Sequence, residues 1–263
     1  MRILRVLALV AAGAPGGAAA ATAVDAAIVL AVDASASVDG VELAIQRGGY
    51  ARALRHADLL QAVRAGAEGR IALAYFEWGG QVHRDAVLPW TLIDGPEAAA
   101  GFASAIEGLP VRSSLGTSIS RALDFARRLI DRGPFAADRR TIDVSGDGPN
   151  NLGPPVTEAR DRAVAEGIVV NGLPVLVAPS ASFRDIDRYY ADCVIGGFGA
   201  FLLSARSGEE LAPAIRRKLI LEVSGLAPPA RILPAAEAEP VDCLVGERIR
   251  QERIDRIFPG LLR

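Results

Sequence analysis

Three short stretches carry oxygen-bearing side chains suited to holding a metal ion. The first is Asp33-Ala34-Ser35-Ala36-Ser37, a carboxylate and two hydroxyls at alternate positions. The second is Thr117, within Ser113-Ser114-Leu115-Gly116-Thr117-Ser118, and the third is Asp147, within Gly146-Asp147-Gly148-Pro149-Asn150-Asn151. Together they offer two carboxylates and three hydroxyls, with no His or Cys. That all-oxygen set suits a hard divalent cation, Mg²⁺ first, with Mn²⁺ or Ca²⁺ as alternatives. Mg²⁺ takes about six ligands in near-octahedral array, so this set leaves room for water or an incoming acidic ligand. With few direct carboxylates the ion keeps net positive character, and an external Asp or Glu carboxylate can complete its shell. Taken singly, the residues have plainer uses. Ser35 and Ser37 suit the capping of a following helix, and Thr117 suits an N-cap. Capping does not call for all five.

The elements around these stretches explain how they meet. Ala26-Ala27-Ile28-Val29-Leu30-Ala31-Val32 is an unbroken apolar run, which reads as a strand buried on both faces. Asp33 follows it directly, at the sheet edge where open α/β sheets bind ligands. Asp39-Gly40 leads into a helix with Val41, Ala44, Ile45 and Gly48 on one face, continuing towards Leu60. Arg70 to Trp78 reads as a second strand and Val82 to Trp90 as a third, with Gly79-Gly80 turning the chain between them. Pro89 marks the third as an edge strand. A helix starts at Asp94-Gly95-Pro96-Glu97 and runs to about Gly108. Thr117 precedes the clearest amphipathic stripe, Ile119, Ala122, Leu123, Ala126, Leu129 and Ile130.

Arg139 to Ser145 is the fourth strand and leads to Asp147. A helix through Val156, Ala159, Ala163 and Val164 follows it. Ile168 to Leu173 is a fifth strand, Phe183 to Asp192 a short helix and Gly199 to Leu203 a sixth strand. Ser207-Gly208-Glu209-Glu210 opens a helix through about Val223. Alternating strands and helices predict an α/β, Rossmann-like, doubly wound sheet. It has six mostly parallel strands, one antiparallel edge strand and helices on both faces.

Composition bounds the function. With 51% hydrophobic and 23% charged residues the chain is globular, and its net charge of −2 argues against a nucleic-acid footprint. Lys218 is the only lysine. Residues 1–23 read as a secretory leader: Arg2 and Arg5, an apolar stretch from Val6 to Ala14, a Pro15-Gly16-Gly17 break, then small residues. No later stretch is apolar and long enough to span a membrane. The expected protein is therefore exported, periplasmic or extracellular, with a domain over 24–225. Residues 226–263 form an extension in which Pro228-Pro229, Pro234 and Pro240 alternate with Ala and Glu, and Glu247 to Ile257 suit a short charged helix. In an oxidising compartment Cys193 and Cys243 are a candidate disulfide, the alternative being two unpaired thiols.

The D-x-S-x-S turn, the later Gly-Thr at a helix start and the later Asp-Gly resemble the metal-ion-dependent adhesion site of von Willebrand factor A (vWA) domains. The resemblance covers about Val24 to Ser224. It implies that Asp33, Ser35, Ser37, Thr117 and Asp147 form the metal shell on a Rossmann-like fold. Glu77-Trp78-Gly79-Gly80, Asp143 to Asn151 and Asn171-Gly172-Leu173-Pro174 resemble a bacterial subgroup of unassigned function. One departure stands out. The usual pattern puts the acid directly after the fourth strand, whereas Ser145-Gly146-Asp147-Gly148 inserts a glycine. Asp143, four residues earlier, competes for the role but is expected to face a neighbouring element.

The leading expectation is an exported binding module that captures an acidic side chain of a protein partner through its metal ion. One alternative is a metal-assisted hydrolase or phosphatase with Asp33 as nucleophile. Against it stand the lack of a second acid two residues on, of a G-x-S-x-G elbow and of a placed His base. Another is a structural domain with an empty site. His56 and His83 read as surface or core residues, Tyr189-Tyr190 and Trp90 as packing, Glu77 as a satisfied strand-end acid, and Asn150-Asn151 as loop structure or ligand contacts. The sequence carries no sign of the oligomeric state.

Overall fold

The computed structural model describes residues 21–38, 40–177, 183–226 and 240–258. Asp39, nearly all of the expected leader and Pro228-Pro229 and Pro234 of the expected linker lie outside them. Five strands form one sheet: β1 (Thr22–Asp33), β2 (Ile71–Trp78), β3 (Val82–Ile93), β4 (Phe135–Gly146) and β5 (Val169–Pro174). Their spatial order is β3-β2-β1-β4-β5. β1 pairs in parallel with β2 and β4, β4 pairs in parallel with β5, and only β3 runs antiparallel, against β2. Thr22 and Ala23, assigned above to the leader, already pair with Phe135 and Ala136 in β4.

β1 is central because its side chains feed two cores. Ile28, Leu30 and Val32 point to one face and Val29 and Ala31 to the other, and all five are fully buried. Each fully buried branched side chain contributes about 1.5–3 kcal/mol relative to exposure. The first face is covered by α1 (Gly40–Leu54), α2 (Ala57–Arg64), α3 (Pro96–Glu107) and α7 (Gly208–Ser224). The second is covered by α4 (Ile119–Asp131), α5 (Val156–Ala165), the single turn α6 (Ile186–Tyr189) and a π-turn at Tyr190–Val194. The architecture is the doubly wound α/β layering expected.

The sheet differs from expectation in having five strands among the described residues. Gly199 to Leu203 lies beside β5, but only isolated parallel bridges form, Gly172 to Leu202 and Val175 to Ala205. Gly197 and Gly199 hold φ of 96° and 75°, and the Asn171 side chain takes up the Phe201 amide at 3.0 Å. The backbone turns and a side chain intrudes, so no continuous ladder forms. Similarly, the Phe183–Asp192 helix reduces to α6 and the π-turn. β4 begins at Phe135, four residues before the polar Arg139-Arg140 pair.

The face of α1 also differs. Val41 is 70% exposed, whereas Leu43, Gln46, Arg47, Tyr50 and Leu54 are buried. Arg47 is buried because Glu77 of β2 meets it bidentately, at 2.7 and 2.8 Å, while Tyr75 donates to the same carboxylate at 2.8 Å. Two further donors reach the carbonyls of Leu109 and Pro110. Four of the five guanidinium N–H donors are thereby paired, and a buried ion pair is tolerated when it is hydrogen-bonded in this way. Glu77 is thus a satisfied structural acid, anchoring β2 and the loop after α3.

Beyond the domain, α8 (Val245–Ile257) forms where a short charged helix is expected. Cys193 and Cys243 lie at bonding distance, with S–S 2.04 Å. No helix among the described residues is long and apolar enough to cross a membrane.

Candidate metal centre

Asp33 ends the central strand at the carboxyl edge of the sheet. The Ala34 amide donates to Trp78 O at 2.6 Å, which keeps the chain beside β2 for one more residue. The Ser35 amide then donates to Asp33 Oδ1 at 2.7 Å, closing an Asx-type turn. Next, the Ala36 amide donates to Ser114 O at 3.1 Å, so the turn is pinned to the loop preceding Thr117. Gly79-Gly80 makes this approach feasible. A Cβ on Gly79 would sit 2.5 Å from Ser114 Oγ, and one on Gly80 2.2 Å from Leu115 O. The glycine pair therefore both turns the hairpin and lets the second loop lie against the first.

Thr117 is fixed by the third loop. Its amide donates to Asn151 Oδ1 at 2.9 Å, and the Asn151 amide donates back to Thr117 O at 2.9 Å. The buried Asn150 accepts from the Ser120 amide at 3.0 Å. These two asparagines satisfy amides at the start of α4, and the N-cap residue is Ser118. Thr117 Oγ1 is thus not the cap, and Asn150-Asn151 serve loop structure.

Asp147 follows the last residue of β4. The inserted Gly146 has a steric reason. A Cβ there would lie 2.7 Å from Tyr190 Oη and 2.9 Å from Asp33 Oδ2. Side chains essentially never make such contacts, so only glycine fits between the central acid and the tyrosine. Gly172 yields to the same ring, its Cβ position lying 2.8 Å from Tyr190 Cδ1. The competitor Asp143 faces the other way, with its carboxylate 2.7 Å from Lys218 Nζ.

The structure brings the three loops together. Ser35 and Ser37 hydroxyls lie 3.0 Å apart, and Ser37 Oγ donates to Asp147 Oδ1 at 3.0 Å. Ser35, Ser37, Thr117 and Asp147 line one cavity of about 610 Å³, and Asp33 lies behind them, fully buried. Among the described residues Asp33 Oδ2 has no hydrogen-bond partner. Burial, then the charge of Asp147, pushes the Asp33 carboxyl well above the usual carboxylate range. Burial also raises Asp147, against the Ser37 hydrogen bond that lowers it. Tyr190 is raised by burial and by the same two acids. No cationic side chain pairs with either acid among the described residues. Buried charges are normally paired or coordinate a metal, so an orphaned oxygen in an all-oxygen site fits a hard cation. Among the described residues no cluster of three or more His, Cys, Asp or Glu forms a metal site, so any cation here relies on the hydroxyls.

One part of the site has no counterpart in the sequence reading. α8 lies across the cavity and contributes Ile249, Arg250, Arg253, Ile254 and Ile257 to its lining. The Cys193–Cys243 bond anchors it, along with the Val241 amide on Asp192 at 2.9 Å and Glu247 Oε1 on Asn150 Nδ2 at 2.6 Å. Gly246 packs against the Asn150 carbonyl, where a Cβ would come within 2.0 Å. The cysteine pair was the only sequence signal that the extension folds back.

Residues 23–227 match the family described as Protein of unknown function (DUF1194). No curated protein matches the chain. Among solved structures it is similar to the vWF domain of the type V pili tip protein Mfa5 from Porphyromonas gingivalis. That similarity has 12% identity and TM-score 0.55, covering 80% of this chain and 98% of that one. It is similar to a von Willebrand factor type A protein from Catenulispora acidiphila, with 14% identity and TM-score 0.54, covering 76% and 43%. It is also similar to the pilus adhesin SpaC from Lactobacillus rhamnosus GG, with 11% identity and TM-score 0.57. There 77% of this chain is covered but only 30% of SpaC, so the chain spans under a third of that adhesin. At these identities the likeness is one of fold. The chain belongs to the DUF1194 family and has the vWA-type fold.

Proposed function

We propose that this chain is an exported binding module that holds a divalent cation, Mg²⁺ first and Mn²⁺ or Ca²⁺ as alternatives, and binds a protein partner's acidic side chain. Asp33, Ser35, Ser37, Thr117 and Asp147 would hold the cation, which supplies a Lewis-acidic position for an incoming carboxylate. The observation that carries the reading is the buried Asp33–Asp147 pair, which among the described residues has no cationic partner and leaves Asp33 Oδ2 unsatisfied. Leaving such a pair uncompensated costs free energy that a bound cation offsets. The pilus-tip and adhesin neighbours, which share the fold, are consistent with a binding role. Asp33 is fully buried and does not line the cavity, which disfavours it as a nucleophile. The leader, residues 1–23, would deliver the protein to the periplasm or the outside.

The test is a melting curve with and without metal. A ligand at a hundred times its Kd stabilises by about 2.7 kcal/mol. Mg²⁺ or Mn²⁺ should raise the melting temperature of the chain, and Asp33→Ala should abolish the rise. An unchanged curve at saturating concentrations of Mg²⁺, Mn²⁺ and Ca²⁺ overturns the reading.

A further inference from the structure

The cavity over the proposed metal site has an unusual wall. On α8, Arg250 and Arg253 are one helical turn apart and both line it. Arg250 reaches the middle loop, since a Cβ on Gly116 would lie 3.4 Å from its Nη1. Neither guanidinium has an ion pair or hydrogen bond among the described residues, although the other arginine of the first turns, Arg248, pairs with Asp242. On the same helix Glu247, three residues before Arg250, is committed to the Asn150 amide, and neither it nor Glu252 or Asp255 lines the cavity. The rest of the wall is mainly apolar, with Leu115, Phe183, Ile249, Ile254 and Ile257, beside the polar Asn151.

Charge balance gives these arginines a meaning. Asp33 and Asp147 together neutralise a divalent cation. Arg250 and Arg253 then leave the cavity with a surplus of positive charge and up to ten unsatisfied N–H donors, five on each guanidinium. A guanidinium is built for a carboxylate, which it can meet bidentately. A ligand with one carboxylate serves the cation or the arginines, whereas one with two serves both. Access also matters. α8 crosses the site, so a broad protein face of the usual extent, about 800 Å² per partner, cannot lie flat on it. An extended segment can, and about 610 Å³ falls within the usual range of ligand pockets.

We infer that α8 makes the site selective for a doubly acidic chain segment: one carboxylate faces the proposed cation and a second is held by Arg250 and Arg253, with an apolar neighbour against Leu115 and Ile257. This rests on the metal-site reading of Asp33 and Asp147. Arg250 and Arg253 are the specificity-determining residues, and they act directly on the ligand.

The experiment is fluorescence anisotropy on the full chain in saturating Mg²⁺. The probes are labelled peptides identical except for two, one or no Asp residues beside a Leu, with unlabelled succinate as a competitor. The two-Asp peptide should bind about tenfold or more tightly than the one-Asp peptide, a difference of one strong charged contact. Arg250→Gln/Arg253→Gln should reduce that ratio to about twofold or less, within the ordinary effect of a surface charge. Both side chains are exposed, so the variant should keep the fold and the metal-induced rise in melting temperature. Equal binding of the one- and two-Asp peptides overturns the inference, as does a preference that survives the double substitution. Binding of succinate with no peptide binding overturns it in favour of a small-molecule site, and no binding by any probe overturns it too. A retained metal-induced rise in melting temperature beside any of these results leaves the metal-site reading standing. Loss of that rise in the unsubstituted chain sinks the reading itself.

Discussion

Ser37 Oγ donates to Asp147 Oδ1 at 3.0 Å across 110 positions of sequence. That single contact joins the loop after β1 to the loop after β4. It also aims a hydroxyl at an acid that burial already makes reluctant to ionise. Asp147→Asn removes one of two like charges, so the metal-free protein should melt at the same temperature or a few degrees higher at pH 8. The metal-induced rise should vanish. Ser37→Ala leaves both charges and loses two part-buried hydrogen bonds, to Asp147 and to Ser35, each worth about 1 kcal/mol. It should lower the metal-free melting temperature and shrink the metal response. Melting curves of the two variants with and without Mg²⁺ check both, and a full metal response in Asp147→Asn would remove Asp147 from the site.

Gly146 makes a second point of leverage, because its missing side chain leaves the space shared by Asp33 and Tyr190. Gly146→Ala should destabilise by about 1–3 kcal/mol, the ordinary cost of overpacking a core. It should also displace Asp33 and weaken the metal response. Tyr190→Phe removes the nearer of the two clashing atoms, which lies at 2.7 Å. The double variant should therefore recover part of the lost stability, a coupling that denaturant titration of the four proteins in the cycle will read directly.

Much of this was legible in the sequence, for identifiable reasons. The central strand announced itself because burial on both faces leaves no polar residue from Ala26 to Val32. Asp147 could be aligned with Asp33 because a parallel sheet sends both strand ends to one edge, and Thr117 by its place just before the most amphipathic helix. The failures share a cause: a polar residue doing a core residue's task. Gln46 and Arg47 hid the true inner face of α1, since an apolar pattern cannot register a buried ion pair. The sixth strand failed because the side chain of Asn171 takes a ladder amide. Asn150 and Asn151 read equally as loop structure or as ligand contacts, because their bonds to Ser120 and Thr117 span some 30 positions of sequence. Above all, the place of α8 depends on a contact between residues 193 and 243, which periodicity cannot reveal.

The only lysine of the chain makes the third prediction. Lys218 is fully buried on α7 between Asp143 of β4 and Glu222, with Asn171 Nδ2 donating to Glu222 at 2.9 Å. Two acids face one cation there. Burial, then the charge of Asp143, raises the Glu222 carboxyl to about 7, against the lowering by Lys218. Its unfolded value is about 4.3. The folded state therefore holds the extra proton between those values, and stability falls as pH rises through that window, by at most about 1.4 kcal/mol per unit. The full benefit is present below about pH 4.3 and gone above about pH 7. Glu222→Gln should flatten this decline, matching the parent near pH 5 and exceeding it at pH 8. Lys218→Met should instead cost about 3–5 kcal/mol, because it strands the acids. Urea titrations from pH 5 to pH 8 will separate the two.

The last prediction concerns what holds α8 in place. Its non-covalent anchors include Glu247 on Asn150, the Val241 amide on Asp192, the Tyr189 hydroxyl on the Cys243 carbonyl, Val241 and Val245 against the core, and the close seat of Gly246. A helix of 13 residues is marginal by itself in water. The Cys193–Cys243 bond closes a loop with a sequence separation of 50, which in the chain-entropy account is worth about 4 kcal/mol. Replacing the pair as Cys193→Ala/Cys243→Ser should thus release the helix and leave the sheet intact. Backbone amides of Val245–Ile257 should exchange with deuterium about a hundredfold faster or more, while those of β1 and β4 stay protected. The metal-induced rise in melting temperature should persist, because Asp33, Ser35, Ser37, Thr117 and Asp147 are all positioned by the sheet and its loops. Unchanged exchange in α8 would mean that its seat on the Asn150 loop suffices without the covalent tie.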